Sequence, residues 1–302
     1  MASMWVSGFI FSVAECVAGV LLNCYIIVVN LVDWRHGMKL SLCDKLLVVM
    51  AANSIGLQCE MNICTFLFIF FPETIQYRST YSSITVFLIF QFYFSFWIMA
   101  ALCIYYCLRI VTFKLHLFVR LKTNISKVVP RLLVGSCIVS FVISVLGIWN
   151  VDLKPHGDSG NRSTNALMSE AIQITLPYRT LSIVVGCCLP FLLVVLSVIL
   201  TLTSLWTHIF KMQYNRSGFS IPRLDAHLRA ARIMLLLTIL FAIFYLSEVS
   251  LLASSLNIDS TWELVSLFFV LIYPTVQSFI VIVGNSKLRP AFLKINYCHK
   301  KN

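Results

Sequence analysis

The sequence predicts an all-α membrane protein, a bundle of seven transmembrane helices with the N-terminus outside and the C-terminus in the cytoplasm. Three observations lead to this prediction. The 302-residue chain is 59% hydrophobic and 12% charged, with a mean hydropathy of +0.89, whereas soluble domains are about a quarter charged. Its apolar residues form seven long spans, and most of its basic residues fall in alternate connections between those spans.

The third span fixes the predicted orientation. Residues 84–108 are apolar and aromatic, without a charge, for about one bilayer thickness. Residues 109–131 then contain six basic residues and no acidic residue. Because Lys and Arg accumulate in cytoplasmic connections, this helix should run from the outside to the inside.

The other spans follow by alternation across the membrane. We place the seven near residues 5–32, 46–71, 83–108, 132–150, 181–206, 233–256 and 263–284, as one domain over 1–302 that ends in a short basic tail, 285–302. Nineteen of the 23 Lys and Arg residues then lie on the cytoplasmic side. The net charge of +11 is therefore explained by topology, and nucleic acid is not an expected partner.

Polar residues in the first two spans are spaced to share helix faces. Asn23 and Asn30 lie on one face of the first helix, and Asn53 shares a stripe with Glu60 on the second. Intramembrane asparagines commonly join helices through hydrogen bonds. Carboxylates are costlier to place in a membrane, so Glu15 and Glu60 are candidate functional residues.

Two later features concern the fifth and seventh spans and the long outer connection. Pro190 and Pro274 should each kink a helix, either as architecture or as a hinge.

In the outer connection, near 151–180, the triplet that starts at Asn161 matches an N-glycosylation acceptor. Similar triplets at Asn124 and Asn215 fall on the cytoplasmic side and should stay unmodified.

A small-molecule site is predicted between the third, fifth, sixth and seventh spans. Phe241, Tyr245 and Glu248 follow helical spacing on the sixth span. The proposed lining also includes residues of the second, third and seventh spans: Glu60, Ile89, Phe92, Tyr93, Phe96 and Leu267. An ordinary aromatic core is the alternative for each aromatic residue, but a carboxylate at position 248 needs a partner or an aqueous cavity.

The sequence lacks the motifs that are typical of an enzyme. No catalytic or nucleotide-binding motif occurs, and the six histidines fall in connections or at helix ends without an i, i+4 pair. Nine of the eleven cysteines lie within apolar spans, so neither a disulfide framework nor a metal site is expected. No cofactor is expected either. A small transporter or channel remains an alternative, and an intramembrane hydrolase a weaker one.

Combined motifs along nearly the whole chain resemble the type 2 (bitter) taste receptors, which are seven-helix G-protein-coupled receptors. The matching residues of the first two helices and their connection are Gly19, Asn23, Ile26, Asn30, Asp33, Trp34, Leu40 and Asp44. Those of the third helix and the segment after it are Trp97, Leu102, Tyr106, Leu108, Arg109, Ile110, Phe113, Phe118, Leu121 and Lys122. Those of the last three helices are Pro190, Phe191, Ser204, Leu205, His208, Met212, His227, Ala230, Leu240, Pro274, Ser278, Gly284, Asn285, Lys287 and Leu288.

The resemblance implies a plasma-membrane chemoreceptor that binds a small, largely apolar agonist and activates a heterotrimeric G protein with a gustducin-like α subunit. Membrane lipid and an oligomeric partner are further expected contacts. The residues expected to face the G protein are Arg109, Lys122, His208, Lys211, Met212 and His227. Those expected to form a polar network within the bundle are Asn23, Asn53, Ser54, Gln277 and Ser278.

The chain also departs from the family pattern at four of these positions. Ser54 stands where an arginine is usual and Gln277 where a histidine is usual. Arg109 replaces a usual lysine, and Phe241 a usual tyrosine. The sequence is therefore identified as a divergent member, with the fold expected to be retained.

Overall fold

The computed structural model describes residues 2–71, 77–111, 116–153, 172–214, 221–253 and 261–292. Seven helices of membrane length are present in this part of the chain, named α1 to α7 in chain order. They are α1 Ala2–Arg35, α2 Leu42–Phe70, α3 Arg78–Ile110, α4 Ile125–Asn150, α5 from Leu176 to Tyr214, α6 Ile221–Ala253 and α7 Thr261–Gly284. The predicted seven-helix bundle is confirmed, and most helices extend beyond the predicted spans because their ends continue into polar sequence.

Helix α3 is the centre of the bundle. It packs against α2, α4, α5 and α6, while α1 closes the ring by packing on both α2 and α7. Its most apolar stretch is also the most buried of the seven. A helix that has protein on every side has no single apolar stripe, and the sequence of α3 accordingly is apolar all round.

Helix α5 contains the irregularity that Pro190 predicts. Leu176–Leu181 and Leu189–Tyr214 are α-helical, and the π-helical turn Ser182–Cys188 joins them. A proline lacks the N–H of the helix ladder, and its ring crowds the carbonyl four residues earlier, which is Gly186 here. The wider turn directly before Pro190 accommodates both effects.

Two small elements were not predicted. A short helix, His116–Thr123, follows α3, and the strands β1 Val151–Leu153 and β2 Ile172–Ile174 pair antiparallel between α4 and α5. The short helix mixes basic and apolar residues at a length too small to span a membrane, so hydropathy alone does not reveal it. Each strand has only three residues, which is below what an alternating pattern can indicate.

The connection between α1 and α2 is set by backbone hydrogen bonds. Gly37 has a positive φ of 80°, its N–H donates to Trp34 O at 3.0 Å, and the Met38 N–H donates to Asp33 O at 3.1 Å. These two bonds form a Schellman motif, which ends α1 at a glycine. Four residues later, Ser41 and Asp44 form a capping box that begins α2.

Candidate functional site

A layer of aromatic rings joins α3, α6 and α7 in the middle of the bundle. The Phe96 ring centroid lies 5.0 Å from that of Phe241 and 4.9 Å from that of Phe244. Phe244 in turn stacks on Tyr273 at 3.9 Å, and Phe92 lies 5.9 Å from Phe244. All five side chains are buried. Three predicted lining residues, Phe92, Phe96 and Phe241, thus meet as a packed aromatic layer.

A polar cluster lies next to this layer, toward the N-terminal end of α5. It contains Tyr93 of α3, Tyr178 and Ser182 of α5, and Glu248 of α6, which is one turn beyond Phe244. Glu248 lies close enough to Tyr93 and Cys187 to interact with them electrostatically. Two predicted site residues, Tyr93 and Glu248, are therefore brought together.

Several polar atoms of this cluster have no partner. Tyr178 OH and Ser182 Oγ are buried, and Ser182 lies close to both tyrosine side chains, but neither oxygen has a partner with good hydrogen-bond geometry among the described residues. Glu248 is 8% exposed and makes neither a hydrogen bond nor an ion pair within the described residues. A buried hydroxyl or carboxylate without a partner is costly. This arrangement is suited to a ligand that supplies hydrogen bonds or positive charge.

Two glycines let aromatic side chains enter the cluster. A Cβ atom at Gly186, in the π-helical turn, would lie 2.7 Å from the Tyr93 ring. A Cβ atom at Gly147 of α4 would lie 2.8 Å from Tyr178 OH. Both glycines are required for close approach and not for an unusual backbone angle.

The remaining predicted lining residues lie around the cluster. Tyr245 stacks on Phe191 at 4.5 Å, and its hydroxyl lies 3.2 Å from Cys188 Sγ, so it faces α5. Ile89 lies against α4, beside Gly147. Leu267 is half-buried on α7. The structure does not join these three residues into one surface.

Glu60 and Glu15 differ from Glu248 because both carboxylates are bonded. Gln91 Nε2 donates to Glu60 Oε2 at 2.8 Å, which joins α2 to α3. Glu15 accepts from Thr275 Oγ1, and from Gln58 Nε2 at 3.2 Å, which joins α1 to α2 and α7. Glu60 therefore faces α3 from the α2 side, where it has its own partner.

The predicted polar network is divided into separate contacts. Ser278 Oγ lies 2.7 Å from Asn23 Oδ1, between α7 and α1. Asn53 Nδ2 donates to Ser95 Oγ at 2.7 Å, between α2 and α3, and Ser54 is buried beside it in sequence. Gln277 Nε2 donates to Tyr273 OH at 3.0 Å within α7, directly beneath the aromatic layer.

A charged cluster closes the end of the bundle where α1 and α7 finish. Lys287 Nζ lies 2.7 Å from Asp33 Oδ2, 2.7 Å from Asn30 Oδ1 and 3.8 Å from Asp44 Oδ2. Nearby, Tyr25 OH donates to Leu288 O at 2.8 Å. The segment after α7 is thus fastened to α1 and α2.

Two of the residues predicted to face a G protein can be placed at the same end. Arg109 is exposed, and its Nη1 donates to Tyr105 OH at 2.6 Å. Lys122 Nζ donates to Val111 O at 2.8 Å, which fastens the short helix to the end of α3. The side chains of His208, Lys211, Met212 and His227 lie outside the described part, as does Asn161 with its whole segment.

Sequence reasoning missed four residues of the site: Phe244, Tyr273, Tyr178 and Ser182. Phe244 lies three residues after Phe241, so helical spacing could have included it. Tyr273 directly precedes the proline of α7, and no periodic signal marks it. Tyr178 lies before the predicted start of the fifth span at residue 181 and Ser182 just after it, where only the α-helical spacing i, i+4 connects them.

Comparison with known proteins gives a family and close relatives. The family described as Taste receptor protein (TAS2R) matches residues 1–300. Taste receptor type 2 member 13 of Pongo pygmaeus is 33% identical over 295 residues, which cover 94% of this chain and 93% of that protein. Taste receptor type 2 member 9 of Homo sapiens is 31% identical over 285 residues, covering 93% and 90%. Taste receptor type 2 member 7 of Pan troglodytes is 32% identical over 289 residues, covering 94% and 90%.

Proposed function

The chain belongs to the type 2 taste receptor family, and from that premise we propose that it detects its agonists at the polar cluster between α3, α5 and α6. It is a bitter taste receptor, a multi-pass G-protein-coupled receptor and not an enzyme. Nothing in the comparisons favours a transporter or channel. The observation that supports this site is Glu248, a buried carboxylate that lies beside Tyr93 without a described bonding partner.

The agonist is a small compound with an apolar body and one polar group. The polar group meets Glu248 and the hydroxyls of Tyr178 and Ser182, while the body rests on the aromatic layer at Phe96 and Phe244. Such a site combines apolar lining with a few placed polar atoms, which is typical of small-molecule pockets. Glu60, Ile89, Tyr245 and Leu267 remain predicted lining residues.

Binding shifts the receptor between two packings of its helices. One packing leaves room for the agonist between the outer ends of α5 and α6. The agonist binds that packing better and therefore increases its population. The aromatic layer lies directly inward of the cluster and joins α3, α6 and α7 through Phe96, Phe244 and Tyr273. If the agonist shifts one of these rings, the movement is passed through the stacked rings to all three helices.

The G protein binds at the opposite end, where α3, α5 and α6 meet the cytoplasm. The residues that we expect to contact it are Arg109, Lys122, His208, Lys211, Met212 and His227, of which the structure describes the side chains of Arg109 and Lys122. The exposure of Arg109 at the end of α3 supports this role. We propose a gustducin-like α subunit as the partner.

The same proposal includes topology and location. The N-terminus lies outside and the C-terminus inside the plasma membrane, in contact with membrane lipid, and the outer connection is glycosylated at Asn161. The distribution of basic residues supports this orientation. An oligomer remains a prediction.

The test is a calcium assay in cells that express this chain with a taste-type G-protein α subunit and are challenged with a panel of bitter compounds. For an agonist of the wild type, Glu248→Gln should lower potency by roughly ten- to a hundredfold, because one charged hydrogen bond contributes about 1.5–3 kcal/mol. Glu60→Gln is the matched variant. It should change potency less, because Glu60 already bonds to Gln91. Unchanged dose–response curves for Glu248→Gln with every agonist, at equal surface expression, would exclude the site.

A further inference from the structure

A concave surface lies outside the bundle, at the connection between α1 and α2. It is an open groove of about 660 Å³, which we call the α1–α2 groove. Its lining residues are Leu31, Trp34, Gly37, Met38, Lys39, Leu40 and Lys45. Trp34 is 62% exposed and Met38 54% exposed, so both apolar side chains are accessible from outside the protein. The groove shares no lining residue with the agonist site.

The walls of the groove are fixed by the backbone. The Schellman motif at Gly37 and the capping box at Ser41 determine the path of the connection from one helix to the next. Residues 36–41 therefore have few conformations to lose when a ligand binds. A preformed concave surface of this kind binds with little ordering cost.

The charge of the groove favours an anion. Lys39 and Lys45 line it, and neither forms an ion pair with a described residue. The two nearby carboxylates, Asp33 and Asp44, are already engaged by Lys287 and, for Asp44, by the cap at Ser41. The lysines are therefore available for an external negative charge.

The groove also continues an apolar stripe on the outer face of α1. Leu21, Val28 and Leu31 are 65%, 55% and 42% exposed and follow one another at helical spacing, so they face lipid. This stripe leads to Trp34 and then to the lysines. Tryptophan and lysine at the end of a membrane helix are typical of the headgroup region.

We propose that the α1–α2 groove binds an anionic phospholipid. Its phosphate pairs with Lys39 and Lys45, its glycerol region lies against Trp34, and an acyl chain follows Leu31 and Val28. The combination of a basic rim with an apolar path of membrane depth matches both parts of a phospholipid. A soluble phosphate would use the rim and leave the apolar path empty.

The experiment uses the full chain in nanodiscs of phosphatidylcholine that contain increasing fractions of brominated phosphatidylserine or, separately, brominated phosphatidylcholine. Bromine quenches nearby tryptophan fluorescence. The chain has six tryptophans, so the signal of Trp34 is the difference between the wild type and Trp34→Phe. We expect Trp34 to be half-quenched at a roughly 25-fold lower fraction of the serine lipid than of the choline lipid, because two lysines contribute.

Charge variants decide whether the lysines form the site. Lys39→Gln with Lys45→Gln should remove the preference, at roughly fivefold for each lysine, whereas Lys39→Arg with Lys45→Arg should retain it. The matched control, Arg120→Gln with Lys127→Gln, removes the same charge from exposed positions of the short helix and the first turn of α4 and should also retain it. Equal quenching by both lipids in the wild type would overturn the proposal. Loss of the preference in the control would do so too, because it would indicate general attraction to a charged surface.

Discussion

Two regions of the bundle differ in whether their buried polar side chains have hydrogen-bond partners. Where α1 and α7 finish, Lys287 bonds to Asn30 and to Asp33, and Asn23 lies in hydrogen-bonding distance of Ser278. Near the start of α5, Glu248, Tyr178 and Ser182 are buried with no bonding partner among the described residues. Buried polar atoms are thus paired between α1 and α7 and unpaired in the cluster near the start of α5.

This difference separates structural from functional polarity. A paired buried group stabilises one arrangement of helices, because any other arrangement loses the bond and keeps the desolvation cost. An unpaired buried group raises the free energy of the ligand-free state, so a ligand that supplies the missing partner binds more favourably. The contacts between α1 and α7 therefore stabilise the bundle, and the cluster near the start of α5 is where we propose that the agonist binds.

The largest expected effect comes from cutting a contact between α1 and α7. Asn23→Ala removes the bond to Ser278 from a fully buried position, and it should destabilise the protein by about 1–3 kcal/mol. The measurement is thermal unfolding of purified protein in detergent, followed by tryptophan fluorescence. Cys24→Ala is the control, since Cys24 is exposed on the same helix. Equal melting temperatures for both variants would contradict the distinction between the two regions.

The second-largest expected effect is an increase in stability. Glu248→Leu removes an unpaired carboxylate from a buried site, so the ligand-free protein should gain about 1–2 kcal/mol. The same unfolding experiment measures it. A fall in melting temperature as large as that of Asn23→Ala would show that Glu248 is bonded in the native protein.

A smaller loss is expected at the charged cluster. Lys287→Met leaves Asp33 and Asp44 without their cation, but these side chains are partly exposed, which limits the loss to about 1 kcal/mol. High salt should reduce the difference from the wild type, because ions screen exposed charges. Lys127→Met, at an exposed position, should unfold at the temperature of the wild type.

The smallest effect compares two buried serines. Ser182→Ala deletes a hydroxyl that has no described partner, so stability should change by less than about 0.5 kcal/mol. Ser278→Ala deletes a bonded hydroxyl and should cost about 1 kcal/mol. Reversal of this order in thermal unfolding would show that the Ser182 hydroxyl is satisfied.

The sequence predicts the fold well because membrane helices are determined locally. Each span must be apolar over its own length, so residues 5–32 or 263–284 can be identified without knowledge of their neighbours. Glu248 was also identifiable, because a carboxylate within a span is costly wherever its helix packs. These predictions depend on burial in the membrane and not on packing.

The features that the sequence did not reveal depend on which helices meet. Because α3 is surrounded by protein, its spacing could not show that Ile89 faces α4 while Phe92 faces α6. The pairing of Lys287 with Asp33 joins residues at opposite ends of the chain, beyond any local pattern. The π-helical turn that presents Ser182 arises from the strain next to Pro190, and its position follows from packing.

The contacts between α1 and α7 also determine the order in which the protein can mature. Thr275 with Glu15, Ser278 with Asn23 and Lys287 with Asn30 are separated by 260, 255 and 257 residues along the chain. Helix α1 is synthesised first, and its polar groups can form these bonds only after α7 and the segment that follows it have been synthesised. Until then α1 exposes them to the membrane interior, where each is costly. A chain that stops before α7 should be retained and degraded by the cell, even though six of its helices are complete.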